Sequence, residues 1–215
     1  MRIKSLTSII FILVVTLCQA QLKLPQYLGD HAILQRDQPV VLWGWCNPGK
    51  QVSVSFNSKN YEGTTGPDSI WQVRIPAQHA GGPYKISIES DTEKMIINDI
   101  YFGDLFFCSG QSNMQFLMGS EAHRFAEKMD YPLIRSLHVT RKTAIVPQKD
   151  TYKAEWILAT KENLNRHSAV AYYFAKEIHE SEKIPVGIIH ASWGASTIET
   201  FMGPHALEDF PEAKS

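Results

Sequence analysis

The sequence has 215 residues, of which 44% are hydrophobic and 20% charged, and its formal net charge is −1. A chain of this length can bury one large hydrophobic core or two small ones, as a globular protein does. The balanced charge gives no indication of binding to nucleic acid or to an anionic membrane surface, because both call for an excess of basic residues.

The first twenty residues differ in kind from the rest. Two basic residues lie within positions 1–4, positions 9–17 are apolar, and Ala20 is the kind of small residue that signal peptidase prefers. This order is typical of a cleaved secretory signal peptide, and the apolar run is too short for a membrane span. We therefore expect residues 1–20 to be removed and the protein to be secreted or periplasmic.

Residues 21–98 predict a β-rich domain. Alternating apolar residues indicate strands at Val40–Trp45, Gln51–Phe56, Ile70–Ile75 and 84–90, with turns containing Gly, Pro or Asn between them. Short alternating strands at this spacing are typical of an antiparallel β-sandwich. The aromatic residues of this region could form a sugar-stacking face, but alternating aromatics usually pack in the core, and we expect packing. They are Trp43, Trp45, Tyr61, Trp71 and Tyr84.

Residues 99–215 predict an α/β domain. The runs 100–107 and Val186–Ser192 are continuously apolar, as parallel strands covered on both faces are. Between them, residues 166–179 have helical periodicity. The order strand, helix, strand predicts a parallel sheet with a crossover helix. The predicted core face of the helix consists of Val170, Tyr173, Phe174 and Ile178.

A polar turn follows the first apolar strand. It has the sequence Cys-Ser-Gly-Gln-Ser-Asn-Met at positions 108–114 and leads into a helix-like segment. A serine on a sharp, glycine-containing turn at the carboxyl end of a buried strand is where α/β hydrolases hold a nucleophilic hydroxyl. Ser112 is therefore the candidate nucleophile, with Gln111 and Asn113 as neighbouring amide donors. An ordinary strand-to-helix turn with a serine cap explains the local pattern equally well.

Residues 103–115 resemble the first signature block of the sialate O-acetylesterases, a branch of the SGNH hydrolase superfamily. Two other stretches are similar to the same family, residues 30–36 with 43–45, and residues 186–199. The resemblance covers essentially all of the chain after its first twenty residues. It implies a β domain followed by an SGNH-type hydrolase domain.

The resemblance also implies roles for individual residues. Ser112 would be the nucleophile, and the backbone N–H groups of Gly194 and Ser112 would face the oxyanion. The family more commonly has a glycine where Ala195 stands. Ser196 is a rival nucleophile, but capping of the helix that follows it is a simpler explanation.

The acid–base partner of Ser112 is missing from the sequence. An activated serine needs a base, usually a histidine oriented by a carboxylate. The resemblance implies an Asp-x-x-His motif for this pair, and the 215 residues contain none. We therefore expect the chain to be the N-terminal part of a longer enzyme or a truncated product. Among the histidines, we expect His123 and His167 to be solvated, His190 to be buried, neutral and bonded to backbone, and His205 to be non-catalytic.

Three functions remain open from the sequence. The first is a sialate O-acetylesterase that acts on O-acetylated sugars through an acetyl-enzyme on Ser112. The second is the same chemistry on acetylated xylan or a related polysaccharide, and the third is a secreted, non-catalytic glycan-binding protein. No metal or cofactor is expected, because no Cys/His cluster has zinc-site spacing. Cys46 and Cys108 are expected to be buried and unpaired, and no oligomeric state is indicated.

Overall fold

The computed structural model describes residues 21–119, 130–144 and 146–208. The predicted signal peptide and His123 lie outside these ranges. The strands are β1 (Ile33–Gln35), β2 (Val40–Trp45), β3 (Gln51–Phe56), β4 (Lys59–Thr64), β5 (Ile70–Ile75), β6 (Gly81–Ser90), β7 (Glu93–Gly110), β8 (Tyr131–His138), β9 (Trp156–Ala159) and β10 (Val186–Ser192). The helices are α1 (Ser112–Gln115) and α2 (Ala169–Glu182), with short 3-10 helices at Leu164–Arg166, Ile198–Phe201 and Pro204–Leu207. None of the helices described has the length and apolar character needed to cross a membrane.

Strand β7 connects the antiparallel and parallel parts of the fold. It is 18 residues long and lies in a sheet with the order β4-β3-β6-β7-β10-β8-β9. Its first half pairs antiparallel with β6, and from Asp104 onward it pairs parallel with β10. The predicted boundary between residues 98 and 99 falls inside this strand. The predicted mixed α/β fold, with antiparallel strands first and parallel strands after, is confirmed.

The N-terminal strands form a sandwich-like arrangement around one core. The two-stranded sheet of β2 and β5 contributes to the same hydrophobic cluster as β3, β6 and β7, because alternate side chains of each strand point inward. Trp71 is completely buried in this core. The rings of Trp43 and Trp45 meet edge to face, with their centroids 4.9 Å apart. Trp71 packs in the core as expected, whereas Trp43 and Trp45 are only partly buried and lie outside the core cluster. The other inward-facing side chains include Leu42, Val52, Val54, Phe56, Val73, Ile75, Ile86, Ile88 and Phe102.

Helix α2 packs against the parallel strands with a different face from the one predicted. Its buried residues are Ala171, Tyr172 and Ala175. Val170, Tyr173 and Phe174, which the sequence placed in the core, are 51%, 48% and 45% exposed, so that prediction was wrong. The buried face therefore combines two small alanines with the large ring of Tyr172, which is 0% exposed.

Buried Arg135 links the parallel strands to the sandwich. Its guanidinium group donates to the carbonyl oxygens of His31, at 2.8 Å, and Asp99, at 2.6 Å. Its Nη2 atom also lies 3.0 Å from the Asp99 carboxylate. A buried cation needs such partners, because an unpaired charge in the interior is strongly destabilising. Strand β8, which contains Arg135, is thereby attached to the backbone at His31 and at Asp99.

His167 is buried, so the prediction of a solvated histidine was wrong. His167 is 1% exposed. It lies between a short 3-10 helix and Ser168, the residue that caps helix α2, and its side chain points into the interior. Its Nδ1 atom lies 2.8 Å from the Ser136 hydroxyl, and its Nε2–H donates to the Leu158 carbonyl at 3.3 Å. Burial disfavours the charged ring and lowers the pKa of His167 to about 4. Both described cysteines, Cys46 and Cys108, are buried and unpaired, as expected.

The low pKa of His167 predicts acid sensitivity. In the unfolded chain its pKa returns to about 6.5, so the unfolded state takes up a proton first as the pH falls. This contribution to stability is complete above pH 6.5 and is lost between about pH 6.5 and 4, with a total of about 3 kcal/mol. Urea unfolding of His167→Gln at a series of pH values should show a correspondingly flatter pH dependence of the free energy of unfolding. An unaltered pH dependence in His167→Gln contradicts the assignment.

Ala195 adopts a backbone conformation that suits glycine. It lies in the turn after β10 with a φ of +62°, in the left-handed region where a β-carbon is crowded by the following carbonyl. We expect Ala195→Gly to raise the free energy of unfolding by up to about 1 kcal/mol, measured by urea denaturation. Ala77, which has no left-handed φ, is the matched control, and Ala77→Gly should give no gain. A destabilised Ala195→Gly protein would contradict this explanation.

Candidate active site

Two strand-end turns lie side by side at the carboxyl edge of the parallel strands. The register of β7 and β10 places Gly110 opposite Ser192, so both strands end at the same level. The backbone N–H of Trp193 then donates to the Gly110 carbonyl at 3.0 Å and extends the pairing into the turns. Ligand sites in open α/β sheets occur at this edge. The predicted convergence of the two turns is therefore present.

Ser112 is presented at the surface at the start of a single helical turn. It is the first residue of α1, and its side chain is exposed. Gly110 precedes it with a φ of +145°, a conformation that a residue with a β-carbon adopts only under strain. The first N–H groups of a helix have no partner within the helix and remain available to an acceptor. The turn thus combines an accessible hydroxyl with backbone donors.

Gly194 lies in close contact with the side chains of Ser112 and Gln115. A β-carbon on Gly194 would lie 3.2 Å from Ser112 Oγ and 2.9 Å from Gln115 Oε1. Both separations are shorter than ordinary contacts, so the absence of a side chain at position 194 is what allows the approach. The two residues that the family resemblance pairs are neighbours in space.

Side chains and backbone groups join the two turns across the gap between them. The Gly194 N–H donates to Gln115 Oε1 at 2.5 Å. The side-chain amide of Gln111 donates to the Ser196 carbonyl. Gln111 therefore bridges the turns, whereas the Asn113 side chain is exposed. The contact of Gln115 could not be predicted from the sequence, because nothing in the residues around a glutamine indicates which distant backbone group its side chain will bind.

His190 supports α1 from below. It is 2% exposed, and its Nε2–H donates to the Met114 carbonyl at 3.0 Å and lies 2.7 Å from Ser192 Oγ. Burial, followed by the nearby His138 ring, lowers the pKa of His190 and keeps the imidazole neutral. The prediction of a buried, backbone-bonded histidine is confirmed. His190 thus holds the helix that carries Ser112 without touching the serine itself.

No imidazole or carboxylate of the described residues hydrogen-bonds to Ser112. His205 is 96% exposed, and its Nδ1 atom lies 3.0 Å from Glu208 Oε1. In the described ranges there is also no group of three or more His, Cys, Asp or Glu residues arranged to hold a metal ion. The site therefore contains an exposed serine hydroxyl close to the backbone N–H of Gly194, and none of the described imidazoles or carboxylates is hydrogen-bonded to that hydroxyl.

A cavity of about 470 Å³ adjoins the second turn. Trp193 forms part of its wall, and the guanidinium group of Arg141 lies 5.9 Å from the centroid of the Trp193 ring. Lys142 also lines the cavity, and its ammonium group lies 4.4 Å from the Tyr152 ring centroid. Neither cation is within salt-bridge distance of a carboxylate in the part of the chain that the structure describes. The cavity wall is therefore both aromatic and cationic.

Comparison with known proteins identifies relatives that match most of the chain. No protein-family model matches the sequence. The proteins named sialate O-acetylesterase from Pongo abelii and Homo sapiens are each 27% identical to it over 203 residues, covering 85% of this chain and 39% of theirs. The chain thus spans about two fifths of the length of the curated relatives that it matches.

The fold of the chain matches that of a solved enzyme. A carbohydrate acetylesterase from Xanthomonas citri superposes with a TM-score of 0.84 at 34% sequence identity, over 88% of this chain and 44% of that one. This likeness includes both the antiparallel and the parallel part of the fold, because it extends over nearly the whole chain. By sequence the chain is similar to proteins named sialate O-acetylesterase, and by fold it is similar to a carbohydrate acetylesterase.

Proposed function

We propose that the protein acts in the hydrolysis of O-acetyl esters on carbohydrates, with Ser112 as the nucleophile. The observation that carries this proposal is the approach of the exposed Ser112 hydroxyl to Gly194, where a β-carbon would lie only 3.2 Å from Oγ. A hydroxyl beside a backbone N–H at the carboxyl edge of a parallel sheet suits acyl transfer. The relatives named as sialate and carbohydrate acetylesterases support the same chemistry.

In the proposed mechanism, Ser112 Oγ attacks the acetyl carbonyl carbon and loses its proton to a base. The carbonyl oxygen becomes an oxyanion that accepts hydrogen bonds from the backbone N–H groups of Gly194 and Ser112. Each such donor is typically worth about 3–4 kcal/mol of transition-state stabilisation. Collapse of the intermediate releases the sugar hydroxyl and leaves an acetyl group on Ser112, which water then removes as acetate.

The proposal includes a base that the described residues do not provide. Among the described histidines, His190 bonds to Met114, His167 bonds to Leu158 and Ser136, and His205 lies against Glu208. We propose that this chain corresponds to the N-terminal part of a longer enzyme, which supplies the base and its carboxylate. The 39% coverage of the relatives supports this view. The predicted signal peptide would place the reaction outside the cytoplasm.

The nucleophile is tested by substitution in the full-length protein. Ser112→Ala removes the attacking oxygen, and hydrolysis of an acetylated aryl ester should fall at least roughly a thousandfold. The matched control is the rival serine in the second turn, Ser196, whose hydroxyl donates to the Trp193 carbonyl at 2.5 Å. Ser196→Ala should retain activity within about tenfold, because that hydroxyl only supports the turn. Full activity in Ser112→Ala, or loss only in Ser196→Ala, would refute the assignment.

The cavity beside Trp193 favours an acidic acetylated sugar over a neutral one. Arg141 and Lys142 present positive charge at its wall, and Trp193 offers an aromatic face. A carboxylate-bearing sugar such as sialic acid can pair with these cations, whereas acetylated xylan has no such group. We therefore propose a sialate ester as the substrate of the site.

This choice of substrate predicts a selective loss on removal of one charge. Arg141→Gln in the full-length protein should raise KM for O-acetylated sialic acid roughly tenfold, because a charge-assisted hydrogen bond to the carboxylate is lost. The kcat/KM value for a neutral aryl acetate should stay within about twofold of the unsubstituted enzyme, since that substrate has no carboxylate to pair. Equal losses on the two substrates, or none on the sialate, would contradict the proposal.

A non-catalytic glycan-binding protein is the second candidate, favoured by the absence of a base from the described residues. It predicts saturable sugar binding that Ser112→Ala leaves unchanged, together with no reaction of Ser112 with a serine-directed phosphonate. Isothermal titration calorimetry and intact mass measurement on the same preparation distinguish it from the esterase.

A further inference from the structure

Gln115 occupies the backbone donor that the proposed reaction requires. It is the last residue of α1 and is partly buried, and its Oε1 atom accepts the Gly194 N–H at 2.5 Å. A β-carbon on Gly194 would lie 2.9 Å from this oxygen and 3.2 Å from Ser112 Oγ. The glutamine oxygen and the serine oxygen therefore crowd the same small volume beside Gly194.

The position of Gln115 Oε1 sets up a competition for one hydrogen atom. A carbonyl carbon bonded to Ser112 Oγ would direct its oxygen toward the same N–H, and one N–H group serves a single well-aligned acceptor best. We infer that Gln115 is a displaceable placeholder in the oxyanion site, held there in the free protein and expelled by the acyl oxygen of the substrate. The inference rests on the proposed function, because it assigns the Gly194 amide to oxyanion binding.

The surrounding contacts allow this displacement. Three other hydrogen bonds join the two turns or their supports: Trp193 N–H to Gly110, the Gln111 amide to Ser196, and His190 to Met114. They remain when Gln115 leaves. The side chain of Gln115 makes no hydrogen bond other than the one to Gly194 among the described residues. Its terminal amide also rotates about a broad torsion, so only a single contact has to break.

Because the Gln115 side chain is uncharged, breaking its hydrogen bond to Gly194 costs little free energy. A hydrogen bond between neutral groups contributes little net free energy, whereas a bond to an oxyanion is charge-assisted and stronger. The acyl oxygen of the substrate, which becomes the oxyanion, therefore replaces Gln115 when the substrate binds. In the free protein the placeholder keeps the partly buried Gly194 N–H paired. Its removal should improve binding without changing the chemical step, because it burdens ground state and transition state alike.

The test follows the Gly194 amide by NMR in the isotope-labelled protein, with acetate, the product of deacetylation, as the probe. Gln115→Met removes the acceptor at nearly constant length, and Gln115→Glu keeps the acceptor and charges it. Gln78→Met is the control, because the Gln78 amide bonds only to the carbonyls of Pro76 and Ala77. In Gln115→Met the Gly194 proton resonance should move upfield, and acetate should bind there roughly fivefold more tightly. Gln115→Glu should bind acetate more weakly than the unsubstituted protein, and Gln78→Met should match it.

The outcomes separate the placeholder from the nucleophile. An unmoved Gly194 resonance in Gln115→Met, or acetate binding that is not strengthened, overturns the placeholder. Acetate binding in none of the proteins overturns the placeholder and the oxyanion assignment together. Strengthened binding in Gln115→Met combined with full ester hydrolysis by Ser112→Ala would keep the placeholder and overturn only the nucleophile. In the full-length enzyme, Gln115→Met should lower KM at constant kcat; a lower kcat would make Gln115 an oxyanion donor instead and would also overturn the inference.

Discussion

The parallel pairing of β7 with β10 is the constraint on which the candidate site depends. In this register Gly110 lies opposite Ser192, so the two polar turns begin next to each other at the same edge of the sheet. A slip of one residue would reverse the faces of the β10 side chains and remove His190 from beneath α1. Hydrogen bonds between the two turns extend the pairing beyond the ends of the strands. The position of Ser112 relative to Gly194 thus depends on the alignment of the two strands.

The same strand gives the site a rigid foundation. Because β7 runs without interruption from the antiparallel sandwich into the parallel strands, the segment that ends at Gly110 is anchored in both parts. Arg135 adds a second attachment by binding backbone carbonyls at His31 and Asp99. Catalytic groups are held most precisely when they lie at the ends of such regular elements. The β-rich part therefore supports the position of the site.

Much of the fold could be predicted from the sequence, because period-two alternation and buried apolar runs report local burial directly. The turn at Ser112 and its partner turn at Gly194 could be predicted for the same reason, with support from the family resemblance. The buried face of α2 could not be predicted, because apolar residues such as Val170 and Tyr173 gave the stronger periodic signal. These residues are half exposed, and the buried residues of the helix include alanines. The burial of His167 and the contacts of Gln115 with Gly194 and of Arg141 with Trp193 depend on partners far away in sequence, which no local pattern contains.

The most direct test of the account is to locate the acetyl group during turnover. The full-length protein would be mixed with an excess of an acetyl ester, quenched in acid within the steady state, digested, and mapped by tandem mass spectrometry. We expect a peptide that is acetylated on Ser112. This acetyl group should disappear when the ester is exhausted. Acetylation of Ser196 or of any other side chain in its place, at a level that follows turnover, would contradict it.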